Sequence, residues 1–152
     1  MKEQPTDVVV RLCGITGEGS DEDVIRVMTT GKLRQTPSGF LLRYQAMETD
    51  DSTGAVMTQD IILNLQPGRV SMTRLGDYGA TMVFVKDRRF ESKYRTPYGD
   101  LDMAIYATHV QCDLSPERGT VHLKYQVDLQ GSFASMNTLH LEYMAGQQEQ
   151  PC

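Results

Sequence analysis

The chain has 152 residues, 39% of them hydrophobic, with 15 Lys and Arg against 20 Asp and Glu and a net charge of −5. About 150 residues suffice to bury roughly 68–70% of the unfolded surface around one core, whereas two cores drawn from so few apolar residues would each be marginal, so one domain spanning 1–152 is expected. The acidic balance disfavours nonspecific attachment to nucleic acid or an anionic membrane, and the longest apolar runs, of four to five residues as at 82–85, fall far short of the roughly 20 that a membrane helix needs.

Strand-like segments separated by turn residues recur along the chain, the pattern of an all-β sandwich or barrel. The first covers 8–15 and closes on Thr16, Gly17, Glu18, Gly19 and Ser20. The second, 24–33, could open as a helix capped by Ser20 with Asp23, but Val24, Ile25, Val27, Thr29 and Thr30 are poor helix formers and good strand formers, so it is read as strand. Thr36, Pro37, Ser38 and Gly39 suit a four-residue turn leading to a strand at 40–47. Gly54 closes the next turn, before 56–65. Gln66, Pro67 and Gly68 turn into 69–74, and residues 76–79 into 80–85. Strands at 91–96 and 101–112 follow.

The last hairpin is the most regular. Val121, Leu123, Tyr125, Val127 and Leu129 alternate with Thr120, His122, Lys124, Gln126 and Asp128, one apolar face and one wet face, as a half-buried antiparallel strand requires. Leu139, Leu141 and Tyr143 repeat the pattern after a turn at 130–132. No long 3.6-residue apolar period appears, which argues against helical and βαβ folds. About eight to ten consecutive strands around one core predict a single antiparallel up-and-down β-barrel, because closure removes edges that invite aggregation. Its core is expected at about 8–143, with the Gln-rich tail at 146–152 frayed.

Several stretches together resemble a known family: Phe40, Leu41, Leu42, Arg43 and Tyr44; Arg74, Leu75 and Gly76; Met82, Val83 and Phe84; the run from Tyr94 through Thr96, Pro97, Tyr98 and Gly99 to Met103; Leu123, Lys124 and Tyr125; and Asn137 with Leu139 and Leu141. From about Val8 to Tyr143 the chain is similar to the YwiB-like family of small uncharacterised bacterial proteins. The resemblance implies a calycin-like, lipocalin-type β-barrel and implies no activity.

Candidate chemistry centres on Arg74. Val70, Met72 and Arg74 share one face of a strand by period two, so an inward Val70 and Met72 carry the guanidinium inward too. Such an arginine keeps its charge, and its planar fork suits a carboxylate or phosphate. It is read as an anchor for a ligand anion, helped by the hydroxyls of Tyr44, Tyr94 or Tyr125, with the ligand's apolar part among Met72, Phe84, Met103 and Leu123. The competing structural role is an internal ion pair with Asp60 or Glu48. Gly99 is expected at a backbone angle that a Cβ would strain. His122 and His140 fall on the wet face, whereas His109 shares parity with Met103, Ile105 and Ala107 and is expected to point inward.

No catalytic signature, cofactor motif or metal-ligand spacing is present: there is no Gly-x-Ser-x-Gly, no phosphate loop and no His-Glu-x-x-His. Cys13, Cys112 and Cys152 are odd in number and scattered, so no disulfide framework is expected. Residues 1–7 show no apolar segment of a secretory signal, and a reducing cytoplasm is the expected setting. The sequence is therefore read as a noncatalytic barrel binding a small amphipathic anion, not nucleic acid or membrane. Its alternatives are a protein–protein module with a filled barrel, or an enzyme using His109 or Tyr94.

Overall fold

The computed structural model describes residues 5–17, 23–49, 53–75, 80–97 and 99–145. They form ten strands, β1 (Thr6–Thr16), β2 (Asp23–Thr36), β3 (Gly39–Thr49), β4 (Val56–Gln66), β5 (Arg69–Arg74), β6 (Ala80–Val85), β7 (Arg89–Thr96), β8 (Gly99–Leu114), β9 (Arg118–Leu129) and β10 (Ser132–Ala145). The segment that could have begun as a helix is strand β2. The expected turn at 76–79 and the tail at 146–152 lie outside the described residues.

All ten strands belong to one antiparallel sheet in the order β6-β5-β4-β3-β2-β1-β10-β9-β8-β7. The chain meanders from neighbour to neighbour, and β1 pairs with β10 from Val8↔Ala145 to Thr16↔Asn137, which joins the two halves. The sheet's edges, β6 and β7, then come together without a regular ladder. A bridge between Lys86 and Ala107, the Asp87 N–H donated to the Ala107 carbonyl at 2.8 Å, and the Ser92 hydroxyl donated to the Thr81 carbonyl at 3.1 Å link the two sides. The result is a nearly closed barrel.

Period-two alternation fills its interior. Val8 and Val10 of β1, Leu42 of β3, Leu63 and Leu65 of β4, Val70 of β5, Phe84 of β6, Leu123 of β9 and Leu141 of β10 are all buried within one apolar cluster. Each such side chain contributes about 1.5–3 kcal/mol by leaving water. The Phe84 ring meets Tyr125 at a centroid distance of 4.7 Å, tying β6 to the far wall. Tyr143 donates its hydroxyl to the Ser115 carbonyl at 2.7 Å, so its polar end is satisfied.

Two departures from regularity shape the barrel. Along β8 the register with β9 shifts between Ala107 and His109, Thr108 being the extra residue of a bulge, and such a bulge bends its strand and re-aims the side chains beyond it. On the other wall, β2 pairs with β3 only from Gly31↔Tyr44 to Thr36↔Gly39, while β3 stays paired with β4 as far as Thr49↔Val56. The two strands part at Gly31. A Cβ there would lie 2.7 Å from the Arg43 carbonyl oxygen and 3.2 Å from the Tyr44 Cβ, so glycine permits the last close approach before the wall splits.

Candidate functional site

β5 presents Val70, Met72 and Arg74 to one face, with Val70 and Met72 buried in the core cluster. Arg74 is half-buried and stands in register with Ile61 of β4 on one side and Ala80 of β6 on the other. Ile61 in turn faces Tyr44 of β3, so Tyr44, Ile61 and Arg74 form one row across three strands on the inner wall. Cross-strand neighbours in such a row have Cβ atoms about 4.5–5.5 Å apart. Burial pushes the Tyr44 phenol up to about 12, with the positive charge of Arg74 acting in the opposite sense. The phenol therefore keeps its proton and serves as a donor rather than a base.

Gln59 lies one row beyond, opposite Ala46. It is 6% exposed and its carbonyl Oε1 has no hydrogen-bond partner. A buried acceptor left unpaired costs about 1–3 kcal/mol. It follows Ile61, Leu63 and Leu65 in the inward parity of β4, the signal by which the sequence would have disclosed it. The β2–β3 ladder ends at Tyr44, so the wall is split beside this row.

At the opposite side Arg74 lines a cleft of about 350 Å³ along the β6–β7 seam, together with Ala80, Thr81, Ser92, Lys93 and Arg95. Lys93 is ion-paired with Asp102, whose hydrogen bond holds its ammonium above the ordinary lysine range. Tyr94 shares the inner face of β7 with Ser92, faces Leu101 of β8 and packs against the core cluster. Tyr125 lies deeper, against Phe84, with its phenol raised by burial. Met72, Phe84, Met103 and Leu123, expected to receive a ligand's apolar part, are packed into the protein's own core.

Two expectations are corrected. His109 does not share the inward side of Met103, Ile105 and Ala107. The bulge at Thr108 reverses the alternation, and beyond it Val110 and Cys112 pair with the inward Leu123 and Val121. His109 instead meets His122 on the outer wall at a ring-centroid distance of 5.0 Å, and His122 meets His140 at 5.8 Å. Asp60, one residue past Gln59, faces outward, where it accepts from Arg43 at 3.0 Å and from Gln45 at 3.1 Å. These bonds hold its carboxyl below its ordinary range and engage it away from the inner face of β5. Glu48, the other acid considered, has no described side chain. Among the described residues no group of three or more His, Cys, Asp or Glu is placed to hold a metal ion.

This architecture is similar to that of known proteins. The crystal structure of the ywiB protein from Bacillus subtilis superposes with a TM-score of 0.79 at 21% identity, over 95% of this chain and 96% of that one. The sequence of the uncharacterized beta-barrel protein YwiB of Bacillus subtilis (strain 168) is 22% identical over 144 residues, 95% of this chain and 97% of that protein. A family model described as a domain of unknown function, DUF1934, matches residues 10–141. A nearly closed ten-stranded barrel with a matched sequence over almost all its length identifies the chain as a member of the DUF1934 family.

Proposed function

We propose that the protein is a noncatalytic binding barrel, of calycin type and acting in the cytoplasm, whose ligand is a small amphipathic anion held at the open end of the inner wall. One observation carries this reading: Arg74 sits on the inner face of β5 in a row with Tyr44, beside the split in the wall. The guanidinium offers a planar donor fork to a carboxylate or phosphate. Tyr44 supplies a neutral hydroxyl, and the Oε1 of Gln59 accepts from the P–OH of a monoprotonated phosphate headgroup, a donor that a carboxylate headgroup lacks. Because Met72 and Met103 are buried in the packed core, the apolar part rests on the partly exposed Ala46 rather than filling the barrel; methionine's flexible thioether lets Met72 adjust beneath it. The Tyr44 and Tyr125 phenols, both raised by burial, stay protonated near neutral pH, which suits recognition more than proton abstraction. The cytoplasmic setting is supported by Cys13 and Cys112, both free thiols.

Dodecyl phosphate and dodecanoate serve as probes. Both bind the wild type saturably, and Arg74→Met weakens them at least tenfold while Arg69→Met, exposed at the opposite end of β5, leaves them within twofold. Equal affinity of wild type and Arg74→Met, with both folded by circular dichroism, would contradict the anchor.

A further inference from the structure

β2 is paired along one side for most of its length but along the other only near its end. Asp23–Leu33 runs in register with Thr6–Thr16 of β1, whereas the β3 ladder begins at Gly31. The other edge of Asp23–Thr30 therefore has no ladder partner among the described residues. Across the split, Gln45–Thr49 of β3 is paired with β4 and likewise lacks a partner on the side towards β2. An unpaired strand edge is a row of backbone donors and acceptors that templates another strand, and proteins usually blunt it with proline, inward charges or a short edge. Apart from Asp23 and Arg26, Asp23–Thr30 has no such guard and is rich in apolar side chains. Val24, Ile25 and Met28 are 44%, 60% and 66% exposed. Ile25 and Val27 belong to the inner face, opposite Gly14 and Leu12 of β1, and Val24 and Met28 to the outer.

The charges nearby select what can lie there. On the outer face Lys32 is paired with Asp7 and Arg43 with Asp60. Arg11 and Arg26 flank Met28 along a groove of about 450 Å³; Glu142 stands opposite Arg11 across the β1–β10 ladder, whereas the row of Arg26 continues through Cys13 and His140 and holds no carboxylate among the described residues. In a chain of net charge −5, Arg26 is thus a positive charge on the outer face of an edge that has no ladder partner among the described residues. A second copy of the same edge does not answer it. Antiparallel pairing about a two-fold axis sets residues of the same face opposite one another, and the outer face of Asp23–Thr30 offers Val24, Arg26, Met28 and Thr30, with no carboxylate among them.

We propose that the free edge of β2 is a docking site for an extended segment of a partner protein in which acidic and apolar residues alternate. Added as a strand, that segment pairs its backbone with Asp23–Thr30. One of its acidic residues meets Arg26 on the outer face, and its apolar residues cover Ile25 and Val27 on the inner one. Backbone pairing supplies affinity and the alternating side chains supply selectivity, as in strand addition generally. This inference does not rest on the ligand reading, although both sites adjoin the same split in the wall, and the peptide and amphiphile tests are read separately.

The test uses three synthetic octapeptides with the intact protein: alternating Glu and Val, alternating Lys and Val, and the Glu–Val peptide with every second backbone amide N-methylated. The expected result is saturable binding of the first by fluorescence anisotropy, with amide-exchange protection confined to residues 23–30. The other two bind at least tenfold more weakly, and Arg26→Glu, a surface change that leaves the thermal midpoint in place, reverses the preference between Glu and Lys. The inference is overturned by absence of saturable binding, by indifference to N-methylation, by protection elsewhere, or by an unchanged preference in Arg26→Glu. Doubling of the mass with protein concentration and without peptide, abolished by Arg26→Glu, would give the edge to a second copy and overturn it as well.

Discussion

A histidine flanked by two others on one wall resists taking a proton. Partial burial depresses the affinity of His122 for its proton, and the neighbouring His109, His140 and Lys124 depress it further. The unfolded chain titrates near the ordinary value of about 6.5, so on acidification it binds this proton before the folded state does. Stability linked to His122 is therefore fully present above that pH and is lost as the pH falls through the lower folded value. The urea midpoint of the wild type declines across this window, and His122→Gln declines less steeply; parallel curves would remove the linkage. Gly99, at φ 114° with nothing within 4 Å of an added Cβ, is a purely conformational case. Gly99→Val lowers stability by more than about 1 kcal/mol through backbone strain, and an unshifted denaturant midpoint would contradict that. At this scale parity in the sequence placed Arg74 and Tyr125 on the inner wall. It failed for His109 because one inserted residue, Thr108, inverts every later position of the strand.

A strand's length shows in its composition, but its partners do not. β5 and β6 were bounded correctly at 69–74 and 80–85 because Gly and Pro punctuate them. The parting of β2 from β3 was illegible, since nothing in the alternation of 24–33 distinguishes a strand paired on both sides from one paired on a single side. What permits the ladder's last pair is local. Gly31 lets β2 press against the Arg43 carbonyl, and Gly31→Ala forces that contact apart at a cost of about 1–3 kcal/mol, typical of overpacking. The loss is expected to show as faster amide exchange in Gly31–Thr36 and Gly39–Tyr44 with little change in β8–β9. Uniform acceleration across the barrel, or none, would contradict this local account. The seam between β6 and β7 was equally hidden, because closure here rests on the Phe84–Tyr125 contact and a few bonds rather than a ladder.

For the whole molecule, the number of strands and their sequential antiparallel order follow from turn spacing, and the similarity to YwiB extends them over 95% of the chain. What the barrel holds is set by volume, which residue patterns do not encode. Leu42, Leu63, Phe84, Leu123 and Leu141 take the middle of the barrel for themselves, while Tyr44 and Arg74 share one row of the inner wall and Gln59 the next. The proposed ligand therefore belongs at the rim rather than in an enclosed pocket. The decisive measurement is an NMR titration of the isotopically labelled wild type with dodecyl phosphate, following the guanidinium Nε–H of Arg74, the side-chain amide of Gln59 and the methyl of Ala46. A rim site predicts that these three signals shift together along one saturation curve while the methyls of Leu123 and Leu141 stay fixed. Shifts spread over the outer wall, or a Gln59 amide and Arg74 guanidinium that do not respond while others saturate, would contradict it.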